Sequence, residues 1–356
     1  MEILKLNETP LRTSRNFGIN NIKLEDIKVP ENIKEFNGLD IICESKKDII
    51  IEGDNSKIDL KYGISNDFIN MVKSSANKKI KIVINSKMEN KIELNFKFNN
   101  ENDVLVDDIE IVAEKGVKAD IIIKYYERED TKEAFHNGVI RTFLKKNSNV
   151  NLSIVNLLNE KANNFISIEN CMEDSSNLNY VIVDFGGKNS VTNYFSDIYG
   201  IEANNVLNSI YLGKDNQVFD LNYIGELRGE KSNINIDVQG ALNDNAKKHF
   251  KGTIDFKRGA NKASGDENEF CTLLSDKAKS IALPMLLCSE EDVEGNHSSA
   301  AGKVDSKQLF YIMSRGFSYK EAMKLIVKAR FNRILESIKD ENLRTEILYT
   351  IDQRLN

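Results

Sequence analysis

The chain has 356 residues, 40% of them hydrophobic and 29% charged, with a net charge of -6. That length allows one large domain or two moderate ones with an ample core, and the negative balance argues against nucleic acid as the main partner. No apolar stretch reaches the roughly 18–20 residues of a membrane-spanning helix, and the first residues hold no apolar run of the secretion-signal kind. The four cysteines, Cys43, Cys171, Cys271 and Cys288, stand far apart and form no CxxC pair. A cytoplasmic, reduced protein is expected, without a disulfide framework and without a readable zinc site.

Residues 1–75 read as an irregular N-terminal region punctuated by Pro10 and Pro30. Their one helix candidate is Ser65–Lys73, with Ser65 as its cap. From about Lys78 the pattern changes to period two. Ile80, Ile82 and Ile84 alternate with Lys and Val, and Ile92, Leu94, Phe96 and Phe98 with Glu, Asn and Lys. The same alternation returns at Val150, Leu152 and Ile154, and at Ile234, Ile236 and Val238. Such runs put one face of each strand in a core and the other outside, and the Asn, Asp, Gly and Lys clusters between them are turn chemistry. Many short strands over residues 76–304 predict a sandwich, a barrel or a solenoid. The length of the strand region favours the solenoid, as do the Asn residues of NSNVNLSIVN and KSNINIDVQG, which suit stacked ladders. No strict repeat consensus is visible.

Residues 305–356 form a third, helical region. Asp305 with Gln308, and Ser318 with Glu321, fit capping boxes, and Gly316 stands where a helix would stop. The second helix carries Ala322, Ile326, Ala329, Phe331, Ile334 and Ile338 as its apolar set, and a third carries Leu343, Ile347, Ile351 and Leu355. Ten basic against seven acidic residues make this region mildly positive. It reads either as a cap burying the end of the β stack or as a binding surface.

Among chemistry-bearing residues, His297 comes first, in a short polar loop before the helices. A neutral imidazole binds Fe(II) or shuttles a proton near pH 7; the plainer reading is a cap or a loop hydrogen bond. Cys288, after the apolar PMLL, is either an iron or persulfide site or a buried small hydrophobe. Cys271 has the same two readings, with the structural one favoured. Glu290, Glu291, Asp292 and Glu294 offer oxygen ligands, but four neighbouring carboxylates more often form a solvated turn. His136 and His249 have no partner at readable spacing and read as surface or core residues. No GxxxxGK[ST] motif occurs, so a nucleotide would have to come with a partner.

Three segments of the C-terminal third carry a resemblance: LLSDKA at 273–278, DVEGNHSSAAGKVD at 292–305 and QLFYIMSRGFSYKEAMKLIVKARF at 308–331. GKDNQVFDLNY at 213–223 and FKGTIDFKRGAN at 250–261 extend it upstream, and PLRTSRN at 10–16 adds a faint N-terminal match. Together they resemble the SufB/SufD family of iron–sulfur cluster assembly proteins. The resemblance implies a mainly β fold, a right-handed parallel β-helix with flanking helical regions. It implies a non-enzymatic subunit that pairs with a SufB-like protein, or with a second copy, and docks a SufC-type ABC ATPase. The docking candidates are Phe310, Tyr311, Arg315 and Glu321, within a signature that also holds Lys303, Met313 and Ser314. No tightly bound cofactor is expected, only a transient cluster or iron at the subunit interface, with His297 and Cys288 as candidate ligands. SufB members carry Glu after the motif histidine and Cys after the LLSD-like element. Here those positions are Ser298 and about Ala278, which favours the SufD-like branch over a SufB-like scaffold. A polysaccharide-acting β-helix enzyme is a remote alternative: it would need aromatic platforms and paired carboxylates, and the chain has no Trp.

Overall fold

The computed structural model describes residues 6–10, 19–20, 24, 27–43, 49–51, 55–85, 90–127 and 133–356. Apart from Pro10, the PLRTSRN segment lies outside them. The strands are β1 (Leu39–Cys43), β2 (Ile49–Ile51), β3 (Lys78–Ile84), β4 (Asn90–Phe98), β5 (Val104–Ala113), β6 (Lys118–Glu127), β7 (Phe135–Leu144), β8 (Asn149–Leu157) and β9 (Asn163–Met172). They continue as β10 (Asn177–Asp184), β11 (Asn189–Ile198), β12 (Asn204–Gly213), β13 (Val218–Leu227), β14 (Asn233–Leu242), β15 (Lys247–Phe256), β16 (Ser264–Leu273), β17 (Lys279–Cys288) and β18 (Glu294–Lys303). The helices are α1 (Asn66–Ser75), α2 (Ser306–Ser314), α3 (Tyr319–Leu335) and α4 (Glu341–Arg354).

From β3 onward, successive strands alternate between two nine-stranded sheets. The even strands β4–β18, with β1, make one sheet and the odd strands β3–β17, with β2, the other; even and odd strands alike pair in parallel with the strand one coil away. This is the expected parallel β-solenoid, with about seven turns. The coil length varies: the starts of the even strands, Asn149, Asn177, Asn204, Asn233, Ser264 and Glu294, are in register.

Two residues before each even strand from β6 to β16, the chain turns through a left-handed residue. Gly116, Asn147, Ser175, Glu202, Lys231 and Lys262 all have positive φ there. Each donates its N–H to the neighbouring coil, as Ser175 does to Ile201 O at 2.8 Å and Lys231 to Asn261 O at 2.9 Å. The conformation repeats while the residue type does not, which is why no consensus was readable. Asn ladders are present as expected: Asn179 donates to Asn151 at 2.9 Å and Asn189 to Asn163 at 2.8 Å.

The lumen is filled by stacked columns. One runs Ile92–Ile121–Leu152–Tyr180–Leu207–Ile236 across successive even strands. Gly240 faces its register partner Tyr211, and a Cβ at Gly240 would overlap the buried Tyr211 ring. Gly240→Ala is therefore expected to destabilise the chain by about 1–3 kcal/mol through overpacking. Denaturant titration checks this; an unchanged midpoint would show that the ring can swing aside.

The outer faces are covered from the two chain ends. Ser65 caps α1 by accepting from Phe68 N, as its sequence predicts. Phe68, Ile69 and Val72 of α1 pack on the odd sheet beside Val106, Val139 and Phe165. Asn7 pins the N-terminal segment to the same face, donating to Thr192 O and Asp220 O and accepting from Lys251 Nζ at 2.7 Å. β1 and β2, absent from the expected irregular region, add antiparallel to β4 and β3 and close the first end of the stack.

The C-terminal helices do not cap the other end, contrary to one of the two expectations. Val327, Phe331, Ile334, Ile338, Leu343, Ile347 and Ile351 lie along the flank of the even sheet, against Ile122, Val155, Val183, Ile210 and Ala241. Those outward sheet positions are apolar, and together they give the helices a face to bury. Ala329, counted in the apolar set, is exposed. Asp305 caps α2 by accepting from Lys307 N and Gln308 N but lacks the reciprocal Gln308 bond of the expected box, whereas Ser318 with Glu321 makes a full reciprocal box. Gly316 ends the turn after α2 with φ +99°.

Candidate functional site at the open end

The second end of the stack is bare. β17 and β18 are the outermost strands of their sheets, with no partner on the far side among the described residues. Every residue of β18 except Gly302 is exposed. His297 lies in this strand rather than in a loop. Its neighbours Gly295, Ser298, Ser299 and Ala300 have little strand preference of their own, so the β conformation is imposed by the ladder to β16.

Register fixes which way His297 faces. Asn296 donates to Asp266 at 3.0 Å and Ser298 to Asn268 at 2.6 Å, both on the outer face. Ser299 donates to Glu269 at 2.9 Å on the lumen face. His297 alternates with Ser298 and so belongs to the lumen column, directly above Glu267.

Cys288 ends β17 and is exposed, with its thiol 2.9 Å from Glu290 O. The buried-hydrophobe reading is thereby overturned, because β17 belongs to the uncovered end coil. Glu290 accepts from Gly259 N at 2.9 Å and from Glu291 N at 3.0 Å, and these bonds hold its carboxyl below the usual range. Asp292 O accepts from Lys262 N at 2.6 Å. The acidic run is thus a turn tied to the preceding coil. No group of three or more His, Cys, Asp or Glu side chains is placed to hold a metal among the described residues.

One layer beneath lies a polar cluster that the sequence reading missed. Lys248 and Glu269 form a fully buried ion pair at 2.7 Å, and Tyr211 Oη donates to the same carboxylate at 3.0 Å. Cys271 is buried, and burial pushes its thiol up, in keeping with a structural role. Glu267 is 0% exposed, and neither of its oxygens has a hydrogen-bond partner. Burial first, and the Glu269 charge second, push its carboxyl up to about 8.

The other histidines are structural. His136 is a core residue that does have a carboxylate partner: its ring lies 2.7 Å from Asp107 and 2.6 Å from Asn164, with Tyr125 Oη donating to Asp107 at 3.1 Å. Burial and the cation of Lys251 lower the pKa of His249 to about 4, so its ring is neutral at pH 7.

A second exposed feature follows the end coil. Helix α2 buries none of its residues, and Phe310 is 74% and Tyr311 58% exposed. Met313, Phe317 and Tyr319 extend the patch. The Arg315 guanidinium stacks 5.1 Å from the Tyr311 ring centroid and donates to its hydroxyl at 3.1 Å. Glu321 is committed to the Ser318 cap, and Lys303 pairs with Asp276.

Fold and site together define a parallel β-solenoid protein whose candidate groups gather at one uncovered end, beside an exposed aromatic helix. The pattern described as SUF system FeS cluster assembly, SufBD core domain, matches residues 96–330. The chain belongs to the SufB/SufD family, whose members act in iron–sulfur cluster assembly. It is 22% identical over 272 residues to the iron–sulfur cluster assembly protein SufD of Bacillus subtilis, covering 76% of this chain and 62% of that protein. It is 30% identical over 114 residues to SufD of Escherichia coli, covering 32% and 27%. A SufBD family protein of Pyrococcus horikoshii is 27% identical over 236 residues, covering 65% and 52%. The chain thus matches less than two thirds of the length of these relatives. Among the described residues no helix is long and apolar enough to cross a membrane.

Proposed function

We propose that this chain is a non-catalytic, SufD-like subunit of a cytoplasmic SufBCD-type machine. Its bare end coil pairs with a SufB-like subunit or a second copy, and α2 docks a SufC-type ATPase. The observation that carries this reading is α2 itself. A helix that presents Phe310, Tyr311 and Met313 to solvent, stiffened by the Arg315 stack, has the make-up of an interface anchor. The unpaired edges of β17 and β18 are templates for a partner strand, and His297 and Cys288 stand beside them, where iron or a nascent cluster would be handled as cargo. The SufD-like assignment is supported by Ser298, which is committed to Asn268 on the outer face, and by Ala278, a buried alanine in place of a thiol. Family membership favours assembly work over polysaccharide cleavage.

The test is capture of a SufC-type ATPase by the full chain. Phe310→Ala/Tyr311→Ala should weaken capture at least ~30-fold, the loss typical of anchor residues. The fold should be unaffected, because neither side chain touches the core. Equal capture by variant and parent would overturn the docking assignment.

A further inference from the structure

We propose that the cleft where α3 meets the end of α4 binds a phosphoryl oxyanion through Lys320, Lys324 and Arg354. The cleft has a volume of about 420 Å3 and also borders the β12–β13 and β14–β15 turns at Lys214, Asp215, Asn243 and Asp244. It lies where the two helices run along the flank of the solenoid. The proposal rests neither on ATPase docking nor on the bare end coil.

Lys320 and Lys324 stand one turn apart on the same face of α3. Their ammonium groups converge on a single residue: Lys320 donates to the main-chain oxygen of Asn356 and Lys324 to its Oδ1. Two donors that reach two oxygens of one residue can equally hold two oxygens of one phosphate, which would displace Asn356. Neither lysine pairs with an acidic side chain among the described residues.

Arg354 supplies the third group. Its guanidinium stays charged and carries five N–H donors in a planar fork. One amino group donates to Gln217 Oε1 at 2.8 Å, whereas Nε is buried with no hydrogen-bond partner. Burial lowers its pKa, and Glu160, Asp184 and Asp215 offset that only in part, none of them pairing with it. The negative end of α4 favours a cation here but leaves Nε unsatisfied. A buried donor without an acceptor is costly, and an oxyanion in the cleft would supply one. The acidic groups of the cleft are engaged elsewhere. Asp244 accepts from Asp215 N at 3.1 Å and from Asn243 Nδ2 at 3.4 Å, and Asp215 lies 3.7 Å from Lys214. Leu274, Tyr319 and Met323 line the same cleft beside the cations, which gives room for the organic part of a phosphate monoester.

The probes are AMP, inorganic phosphate and adenosine, each titrated into the full chain by calorimetry at low ionic strength. AMP and inorganic phosphate are expected to bind one per chain and to compete with each other, and adenosine not to bind. The tighter of the two anions identifies the source, ester or free ion. Lys320→Gln/Lys324→Gln should weaken binding at least ~10-fold, with the wild-type circular dichroism spectrum retained. Arg354→Lys, which keeps the charge but loses the fork, should weaken it at least ~5-fold. Lys115→Gln/Lys118→Gln removes the same charge from exposed positions around the β5–β6 turn and should bind as the parent does. Absence of saturable anion binding, equal binding of adenosine and AMP, equal affinity of Lys320→Gln/Lys324→Gln and the parent, or an equal loss in Lys115→Gln/Lys118→Gln would overturn the proposal.

Discussion

Lys248→Met is expected to destabilise the chain by about 3–5 kcal/mol, the usual cost of leaving one partner of a buried ion pair uncompensated. Lys248 and Glu269 are both fully buried and 2.7 Å apart. The remaining contacts of Glu269, to Tyr211 and Ser299, are hydrogen bonds without positive charge. Methionine keeps the length of the lysine stem, so the loss reports the charge rather than a cavity. Lys248→Met/Glu269→Leu should recover most of it, since an apolar pair of similar volume often replaces a buried ion pair at little cost. Chemical denaturation of both variants and the parent decides. A loss below ~1 kcal/mol for the single variant would mean that water reaches Glu269.

The second large effect is a pH dependence carried by Glu267. Its carboxyl is raised from an ordinary 4.5 to about 8. Between those values the folded chain holds a proton that the unfolded chain has released. Stability from this group is therefore fully present below about pH 4.5 and is lost as pH rises through 8. The displacement corresponds to on the order of 5 kcal/mol. Glu267→Gln keeps the shape and removes the titration. Measured with chelator present, the variant should gain on the parent steadily from pH 5 to pH 8 and hold that gain above. Parallel stability curves across this range would show that the folded carboxyl titrates normally.

These two effects share one cause: the end of the lumen holds two carboxylates and one lysine, so one negative charge is balanced and the other carboxyl stays protonated. The arrangement was only half legible in the sequence. Period-two alternation identified Ile234, Ile236 and Val238 as lumen residues, and the register of β14 with β16 carries those positions on to Glu267 and Glu269. In SGDENEFCTL, however, both faces are polar near the middle, so alternation no longer says which face is inside. The helix caps at Ser65, Asp305 and Ser318 were readable because capping depends on local residue types. The site of His297 was misread as a loop for the opposite reason: its strand is created by the preceding coil. The repeat was invisible because the turns conserve a left-handed backbone, filled by Gly, Asn, Ser, Glu and Lys in turn. The flank position of the C-terminal helices depends on outward residues such as Val155, Val183 and Ile210, which sequence alone does not separate from the lumen set.

A stack of coils that touch only their neighbours is prone to peel from its ends. In this protein α3 and α4 run across the even sheet from Lys91, paired with Asp340, to Thr272, which accepts from Arg330, while Asn7 bolts three successive odd strands together. The two braces splice distant coils into one cooperative block, so that fraying at the exposed terminal rung need not run on along the stack.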